Sequence, residues 1–596
     1  MKPTIEILEK LKSNSIKNPN EVFTRLYRYL LREDIYFVAY KNLYSNKGAG
    51  TKGVDNDTAD GFGYDYVKRI ISKLESDNYT PKSTRRVEIP KKNGKTRPLS
   101  VPSFSDKLVQ EAIRMVLEAI YEPLFCDCSH GFRPKRGCHT VIESIKVWNG
   151  TKWFVEGDIK GCFDNINHNR LIEIVGEKIK DKRLLELIRK FLTAGYMKDW
   201  KYNKTHSGTP QGSIVSPILA NIYLHELDKF ILKEKSNFDK PAEKYLNPDY
   251  KKISSQLERL KKKIYVADRF TRDTLLAEYK DTRKKMQQTP CKSQTDKKIK
   301  YIRYADDFLI AVNGSKEDCQ LLKEKVRAFL QTDLKLELSE EKTLITHSST
   351  PCMFLGYHVA IRREQKVKAD KNGLTKRSLN NTVELTVPFH EKIEPFLWDR
   401  KAVRTKNGRM FPAKRDYLLN LTDLEIVSTY SAEIRGILNY YNKAVDYYKL
   451  SYFAYLMEYS CLMTLARKHK SSIGKIMNKY KDGTGKWGIP YSTKNGNKRL
   501  YLPRTADCKE SLMKDEIANN TINHSYATTT FELRLQAKVC ELCGADGDIP
   551  FEIHHISKVK NLKGKSNWEK VMMAKRRKTL VVCIPCHKGI HRDNRV

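Results

Sequence analysis

Two strand-like runs, Tyr301-Ile302-Arg303 and Phe308-Leu309-Ile310-Ala311-Val312, meet at Tyr304-Ala305-Asp306-Asp307, and this junction constrains the fold more than any other stretch of the chain. The β-branched and aromatic flanks predict a hairpin, so the adjacent carboxylates project from a rigid corner. Two like charges are costly to ionise together, and a divalent cation removes the difficulty by taking both as oxygen ligands. Taken alone, the tetrapeptide also reads as a plain Asp-containing turn. Upstream, Trp153-Phe154-Val155-Glu156-Gly157-Asp158-Ile159 reads as a buried strand with one deep acid. A buried, unpaired carboxylate costs several kcal/mol, so Asp158 is expected to be neutralised, paired or metal-bound. Asp164 precedes the amphipathic run from Ile166 to Ile179 and reads as a helix cap rather than a ligand. Strands carrying Asp158 and Asp306-Asp307 meet the needs of two-metal phosphoryl transfer, with ions about 3.5–4 Å apart.

Further blocks follow one another in a fixed order. They are Ser129-His130-Gly131-Phe132-Arg133-Pro134, Asp158 to Phe163, Gly208-Thr209-Pro210-Gln211-Gly212 with Ser216-Pro217-Ile218-Leu219-Ala220-Asn221, Tyr304 to Asp307, Glu341-Lys342-Thr343 and Phe354-Leu355-Gly356. In that order they resemble the group II intron-encoded reverse transcriptases and maturases that carry an HNH endonuclease, and the resemblance runs over nearly the whole chain. It implies an α+β fold: a right-hand polymerase with fingers, palm and helical thumb, followed by a zinc-stabilised ββα-metal nuclease module. It also implies roles. Asp158, Asp306 and Asp307, with Ile159 in the same set, would hold two Mg²⁺ at the polymerase site. Phe163 would be the aromatic gate against a 2′-hydroxyl, and Gln211 an amide on the nucleotide beside the permissive Gly212. Lys91, Arg97 and Arg85 would clamp the triphosphate, where guanidinium forks match phosphate oxygens. Lys342 would close the palm on the nucleotide.

The chain has 111 Lys and Arg against 71 Asp and Glu, a net charge of +40, which requires polyanionic partners. No long apolar run predicts a membrane span, and the polar N-terminus lacks a signal-peptide core, so a cytosolic protein is expected. The 13 cysteines include two Cys-x-x-Cys pairs while others stand singly, which points to reduced thiols and one metal site rather than a disulfide framework.

The resemblance and the order of its motifs imply these modules: an RNA-binding N-terminal extension over about 1–80, fingers and palm over about 81–385 with a charged insertion at about 233–300, a thumb or maturase domain over about 386–480, a basic DNA-binding region over about 481–535, and an HNH endonuclease over about 536–596. Val22, Phe23, Leu26, Tyr27 and Leu30 recur at helical spacing, Leu334 to Leu338 alternates as a strand, and Ser315 to Asp318 reads as a capping box. Tyr440, Tyr441, Tyr447 and Tyr448 are candidates to stack bases, although at least half of them are expected to pack a helix bundle. Cys540, Cys543, Cys583 and Cys586 have the spacing of a structural Zn²⁺ site. By the resemblance, His555 is the general base of the nuclease, His554 and His591 are candidate ligands of one catalytic Mg²⁺, and His587 is a ligand or a support. Where many such motifs carry Asn, this chain has Lys578-Thr579-Leu580, leaving the middle residue unassigned.

The resemblance implies intron RNA in a lariat ribonucleoprotein, a double-stranded DNA target and dNTPs as partners, no membrane, a possible homodimer, and a bacterial, nucleoid-associated cytoplasmic location. An RNA-binding splicing cofactor with an idle polymerase site is the alternative; the intact acids speak against it.

Overall fold

The computed structural model describes the chain except for residues 1–2, 47, 91–93, 95, 199–200, 206, 211, 241–245, 290, 292–296, 365–366, 370–374, 377–379, 494–495, 509–529 and 594–596. The fold is α+β. Its central sheet runs Lys298–Tyr304, Asp307–Asn313, Trp153–Asp158, Ile345–His347, with antiparallel neighbours throughout. The expected hairpin is present: Tyr304 pairs with Asp307 at its end, and Asp158 lies directly opposite Asp307 on the next strand.

The alternation of the strands divides the hydrophobic interior in two. Val155, Phe308, Ile310 and Val312 face a core shared with the N-terminal helices, the Phe104–Tyr121 helix and the C-terminal module. Phe154, Ile302, Leu309 and Ala311 face a second core with the helices Asp423–Tyr440 and Leu450–Lys468. One sheet therefore fixes both halves. A second sheet, ordered Thr96–Val101, Thr84–Pro90, Tyr196–Lys198, Lys201–Asn203, carries the basic hairpin over the same end.

Local expectations fare unevenly. Ser315 and Asp318 form the capping box of the Lys316–Thr332 helix. Asp164 does not cap the following helix: it lies within the short Cys162–Asn165 helix, and Asn167 caps His168–Lys178 by accepting from Arg170 N–H. The Leu334–Leu338 strand is reduced to an isolated bridge between Ile159 and Leu338, because Lys335 takes a left-handed φ of 50° that ends extended backbone. Its three leucines are nevertheless buried. In the N-terminal region, the apolar run folds as a short 3-10 turn, Tyr27–Leu31, with Phe23 in a bridge to Ile179. The charged segment after Phe238 forms a helical hairpin, Pro248–Val266 and Arg269–Gln288, that buries only Leu257, Leu260 and Thr282. Within the helical region a hairpin, Val403–Lys406 with Arg409–Pro412, was not expected. No helix among the described residues is long and apolar enough to cross a membrane.

Candidate active sites

The acidic corner is held by what lies beneath it. Ala305 takes a left-handed φ of 58°, unusual for a residue with a Cβ, and Arg303 Nη1 donates to its carbonyl at 2.8 Å. Arg303 also donates through Nε and Nη2 to Asp228 at 2.7 and 2.6 Å, and through Nη2 to Ser129 Oγ at 2.8 Å. Both Arg303 and Asp228 side chains are fully buried. Asn221 accepts from Arg303 and donates to the Gly131 carbonyl at 2.7 Å. Gly131 has no room for a side chain, since a Cβ would lie 2.3 Å from Ala305 N. Thus Ser129, Gly131 and Asn221, read above as motif residues, lock the hairpin from below. Arg303 and Asp228 were missed as functional residues; a lone Arg inside an apolar strand was the available signal.

Above this support the three aspartates meet. Asp307 faces Asp158 in register, and burial together with Asp306 and Asp158 pushes its carboxyl up to about 7. Asp306 is raised by burial and by Asp158, against the pull of Lys342 and Arg97. Lys342 Nζ donates to Asp158 Oδ2 at 2.9 Å. Arg97 therefore acts on the acids, whereas Arg85 sits four rungs down the basic hairpin, roughly 13 Å away along the strand, donating through Nε to the Lys52 carbonyl at 3.1 Å. Phe163 is half-buried, its ring edge-on to Phe132 at 6.0 Å. Ile159 is buried and apolar, so only its main-chain carbonyl is available to a cation. Lys91 and Gln211 lie outside the described residues. Gly212, with φ of 101°, packs against Ser100 of the basic hairpin.

The C-terminal module is built from the strands Phe551–His555 and Thr579–Cys583 and the helix Ile584–Asp593. All 13 cysteines are free thiols. Among the described residues, two groups bring their ligand atoms within 4.8 Å of one another. One is Cys540, Cys543, Cys583 and Cys586. Cys543 Sγ and Cys583 Sγ are 3.8 Å apart, close to the separation of two thiolates at about 2.3 Å from a tetrahedral Zn²⁺. Burial raises Cys540, but N–H groups of Cys543, Cys583 and Leu542 outweigh it and bring the thiol down to about 7.

The other group is Asp60, His554, His587 and His591. His587 Nδ1 lies 2.7 Å from Glu552 Oε2, which turns Nε2 toward the centre. Burial lowers His587, but its bonds to Asp60 and Glu552 dominate and raise it to about 9. Neighbouring strand residues face opposite ways, and His555 is accordingly outside this group, its Nε2 3.0 Å from the Tyr44 carbonyl. Leu580 and Thr579 pair with His554 and His555 and are both buried. Asp60 was invisible in the sequence, because nothing in Thr58-Ala59-Asp60-Gly61-Phe62 links it to a module almost 500 residues on. Of the four tyrosines, Tyr440, Tyr441 and Tyr447 pack within the helical half, and Tyr448 is exposed.

Comparisons with known proteins agree with this architecture. A reverse transcriptase (RNA-dependent DNA polymerase) family model matches residues 89–258 and 273–359, a type II intron maturase model 380–525, and an AI2M/AI1M-like HNH endonuclease model 540–587. The expected insertion is thus largely inside the reverse transcriptase match, which breaks only between 258 and 273. Group II intron-encoded protein LtrA of Lactococcus lactis subsp. cremoris is 53% identical over 595 residues, spanning 99% of each chain. The 91 kDa protein in cob intron of Schizosaccharomyces pombe is 36% identical over 99% of this chain and 72% of its own. Telomerase from Candida tropicalis in complex with a telomeric RNA fragment covers 70% of this chain and 58% of its own at 13% identity and a TM-score of 0.34, too slight a likeness to argue from. With three domain matches in the order the sequence motifs require, and a relative of this identity over the full length, the chain belongs to the group II intron-encoded proteins, enzymes that join a reverse transcriptase domain, an intron maturase domain and an HNH endonuclease domain.

Proposed function

We propose that the reverse transcriptase domain extends a DNA strand on an RNA template by two-metal nucleotidyl transfer at Asp158, Asp306 and Asp307, that the maturase domain binds the chain's own intron RNA and assists its splicing, and that the nuclease nicks double-stranded DNA to expose a primer. The observation that carries this reading is the register of Asp158 against Asp307, with Asp306 at the adjoining turn. The donor set is all carboxylate, which suits Mg²⁺. Two Mg²⁺ ions held there would supply activation of the primer hydroxyl and stabilisation of the leaving oxygen. Asp158 and Asp306 are the ligands, Asp307 supports them, and Ile159 contributes through its carbonyl. Lys342, now on Asp158, transfers to nucleotide phosphate when the acids are neutralised otherwise. Arg97 stands on the triphosphate side, with Lys91 and Gln211 assigned to the nucleotide by motif. Phe163 excludes the 2′-hydroxyl by its bulk.

In the nuclease, Cys540, Cys543, Cys583 and Cys586 hold a structural Zn²⁺, and His554, His587 and His591 hold the catalytic cation. His555 removes a proton from water. The net charge of +40 supports RNA and DNA as partners. The module boundaries are those set out from the sequence, with the maturase region continuing toward 525. Replacing Asp158 by Asn tests the reading: Mg²⁺-dependent primer extension on an RNA template should fall by roughly 10³-fold or more, with intron RNA binding retained. Extension near the parent rate would refute the assignment.

A further inference from the structure

We propose that Asp60, carried by the N-terminal region, is a fourth ligand of the nuclease cation and closes that centre for as long as the C-terminal module stays docked. This rests on the reading of His554, His587 and His591 as the cation ligands. Asp60 Oδ1 lies 3.1 Å from His554 Nδ1, and Oδ2 lies 3.3 Å from His587 Nε2 and 2.8 Å from His591 Nε2. Neither ring nitrogen of His554 makes a well-formed hydrogen bond, although both are buried. His587 Nε2 and His591 Nε2 face each other at 3.2 Å. Asp60 pairs with His587 and His591 but leaves buried His554 without a well-formed partner, and a cation shared by all four would satisfy it.

The juxtaposition is built into the chain. Ile553 N–H donates to the Phe62 carbonyl at 2.8 Å and Gly61 N–H to the Ile553 carbonyl at 3.0 Å, so residues flanking Asp60 bridge to the nuclease strand. Phe62 and Ile553 are fully buried. At Gly63 a Cβ would lie 2.6 Å from the Phe551 carbonyl, so this approach needs glycine.

A catalytic cation site keeps a position open for water or substrate. In a tetrahedral set, as Zn²⁺ prefers, three imidazoles and Asp60 leave no position for a DNA phosphate until Asp60 leaves. In the octahedral set of Mn²⁺ or Mg²⁺, Asp60 takes one of the three positions that the imidazoles leave open, and its departure frees that position for phosphate. The same region occupies the candidate base: His555 N–H donates to Asp60 Oδ1 at 2.6 Å, and its Nε2 lies against the Tyr44 carbonyl. Three nitrogens also favour a borderline ion such as Zn²⁺ over Mg²⁺, and Mn²⁺ serves as the paramagnetic stand-in.

The test is Mn²⁺ titration of the full-length protein followed by electron paramagnetic resonance. Nitrogen modulation in the pulsed experiment identifies Mn²⁺ on imidazole, since the polymerase acids offer only oxygen. Asp60→Asn should weaken the imidazole-bound Mn²⁺ by about tenfold or more, and at saturating Mn²⁺ should raise cleavage of double-stranded DNA. Asp60→Glu, which keeps the carboxylate, should bind Mn²⁺ within about threefold of the parent. Unchanged Mn²⁺ affinity in Asp60→Asn, equal loss in both variants, or cleavage that does not rise with Mn²⁺ bound would each overturn the proposal. His554→Ala separates the two layers. If it keeps the parent Mn²⁺ affinity and nitrogen-modulation depth, the reading of His554 as a cation ligand fails; if it weakens Mn²⁺ binding while Asp60→Asn does not, only the role of Asp60 fails.

Discussion

The polymerase corner and the nuclease centre both gather charged side chains from distant parts of the chain, but they are held by opposite means. Asp158 and Asp307 stand on neighbouring strands of one sheet with Asp306 at the adjoining turn, and a buried Arg303–Asp228 pair fixes that turn from beneath. That support is protein throughout. The nuclease module has two strands and the helices Asn567–Lys575 and Ile584–Asp593, small elements whose buried residues join the core of the N-terminal region, with four thiols gathered beside them. The first site is preorganised by packing, and the second by docking and, on the proposed reading, by the metal its thiols would hold. The difference predicts that the nuclease can be released without disturbing the sheet, although the two belong to one continuous core.

Stripping the Zn²⁺ proposed for the four thiols should produce the largest difference between the two regions. Structural Zn²⁺ contributes roughly 10–16 kcal/mol to folding in small modules near neutral pH, more than a hairpin of this size holds by other means. A strong chelator, or Cys583→Ser, should therefore abolish DNA cleavage and make residues beyond about 536 protease-sensitive, while primer extension changes less than about twofold. Because Phe62 and its neighbours lose their cover, the stripped protein should also aggregate more readily. Parallel loss of extension and cleavage would show that the two regions are not energetically separable.

The reverse experiment attacks the support of the palm sheet. Asp228→Ala leaves Arg303 charged and buried without its partner, which should cost about 3–5 kcal/mol, read as a lower urea midpoint, and should take primer extension with it. Replacing both residues by apolar ones, Arg303→Met with Asp228→Leu, removes the orphaned charge and should restore much of the midpoint. Extension should stay low, because the Ala305 carbonyl then has no guanidinium donor to hold its left-handed turn. Full recovery of both would mean that the pair is a packing element only.

This contrast also explains what the sequence could reveal. The acidic corner was legible because strand alternation and β-branched flanks are local signals, and because Asp158 was chemically out of place in an apolar strand. The buried pair beneath it was half legible: Arg303 stood in plain view within Tyr301-Ile302-Arg303, but its partner Asp228 lies in a helix with polar neighbours. Asn407-Gly408, with φ of 50° and 68°, carries the strongest short-range hairpin signal and went unread within a helical period. Leu334 to Leu338 misled in the other direction, since burial alternates there without extended pairing. The Cys-x-x-Cys pairs announced their site by spacing. Asp60 did not, because a docking contact between remote segments leaves no periodic trace.

A finer test of the packed region uses pH. His130 belongs to the edge that bridges to the hairpin, its N–H donating to the Arg303 carbonyl at 2.9 Å, while its Nδ1 lies 2.7 Å from Thr140 Oγ1. Burial, with Arg136 and Arg133 nearby, holds its imidazole down to about 4. In the unfolded chain the ring takes a proton near its ordinary value of about 6.5, so between these values the unfolded state binds more protons than the folded one. Stability should therefore be full above about pH 6.5 and decline as pH falls toward 4, by something on the order of 1–2 kcal/mol after solvent screening. His130→Gln keeps a side-chain hydrogen-bonding group without titrating, and should flatten that decline in urea unfolding curves at pH 7 and 4.5. Equal acid sensitivity in parent and variant would place the titration elsewhere and remove His130 from the support of the corner.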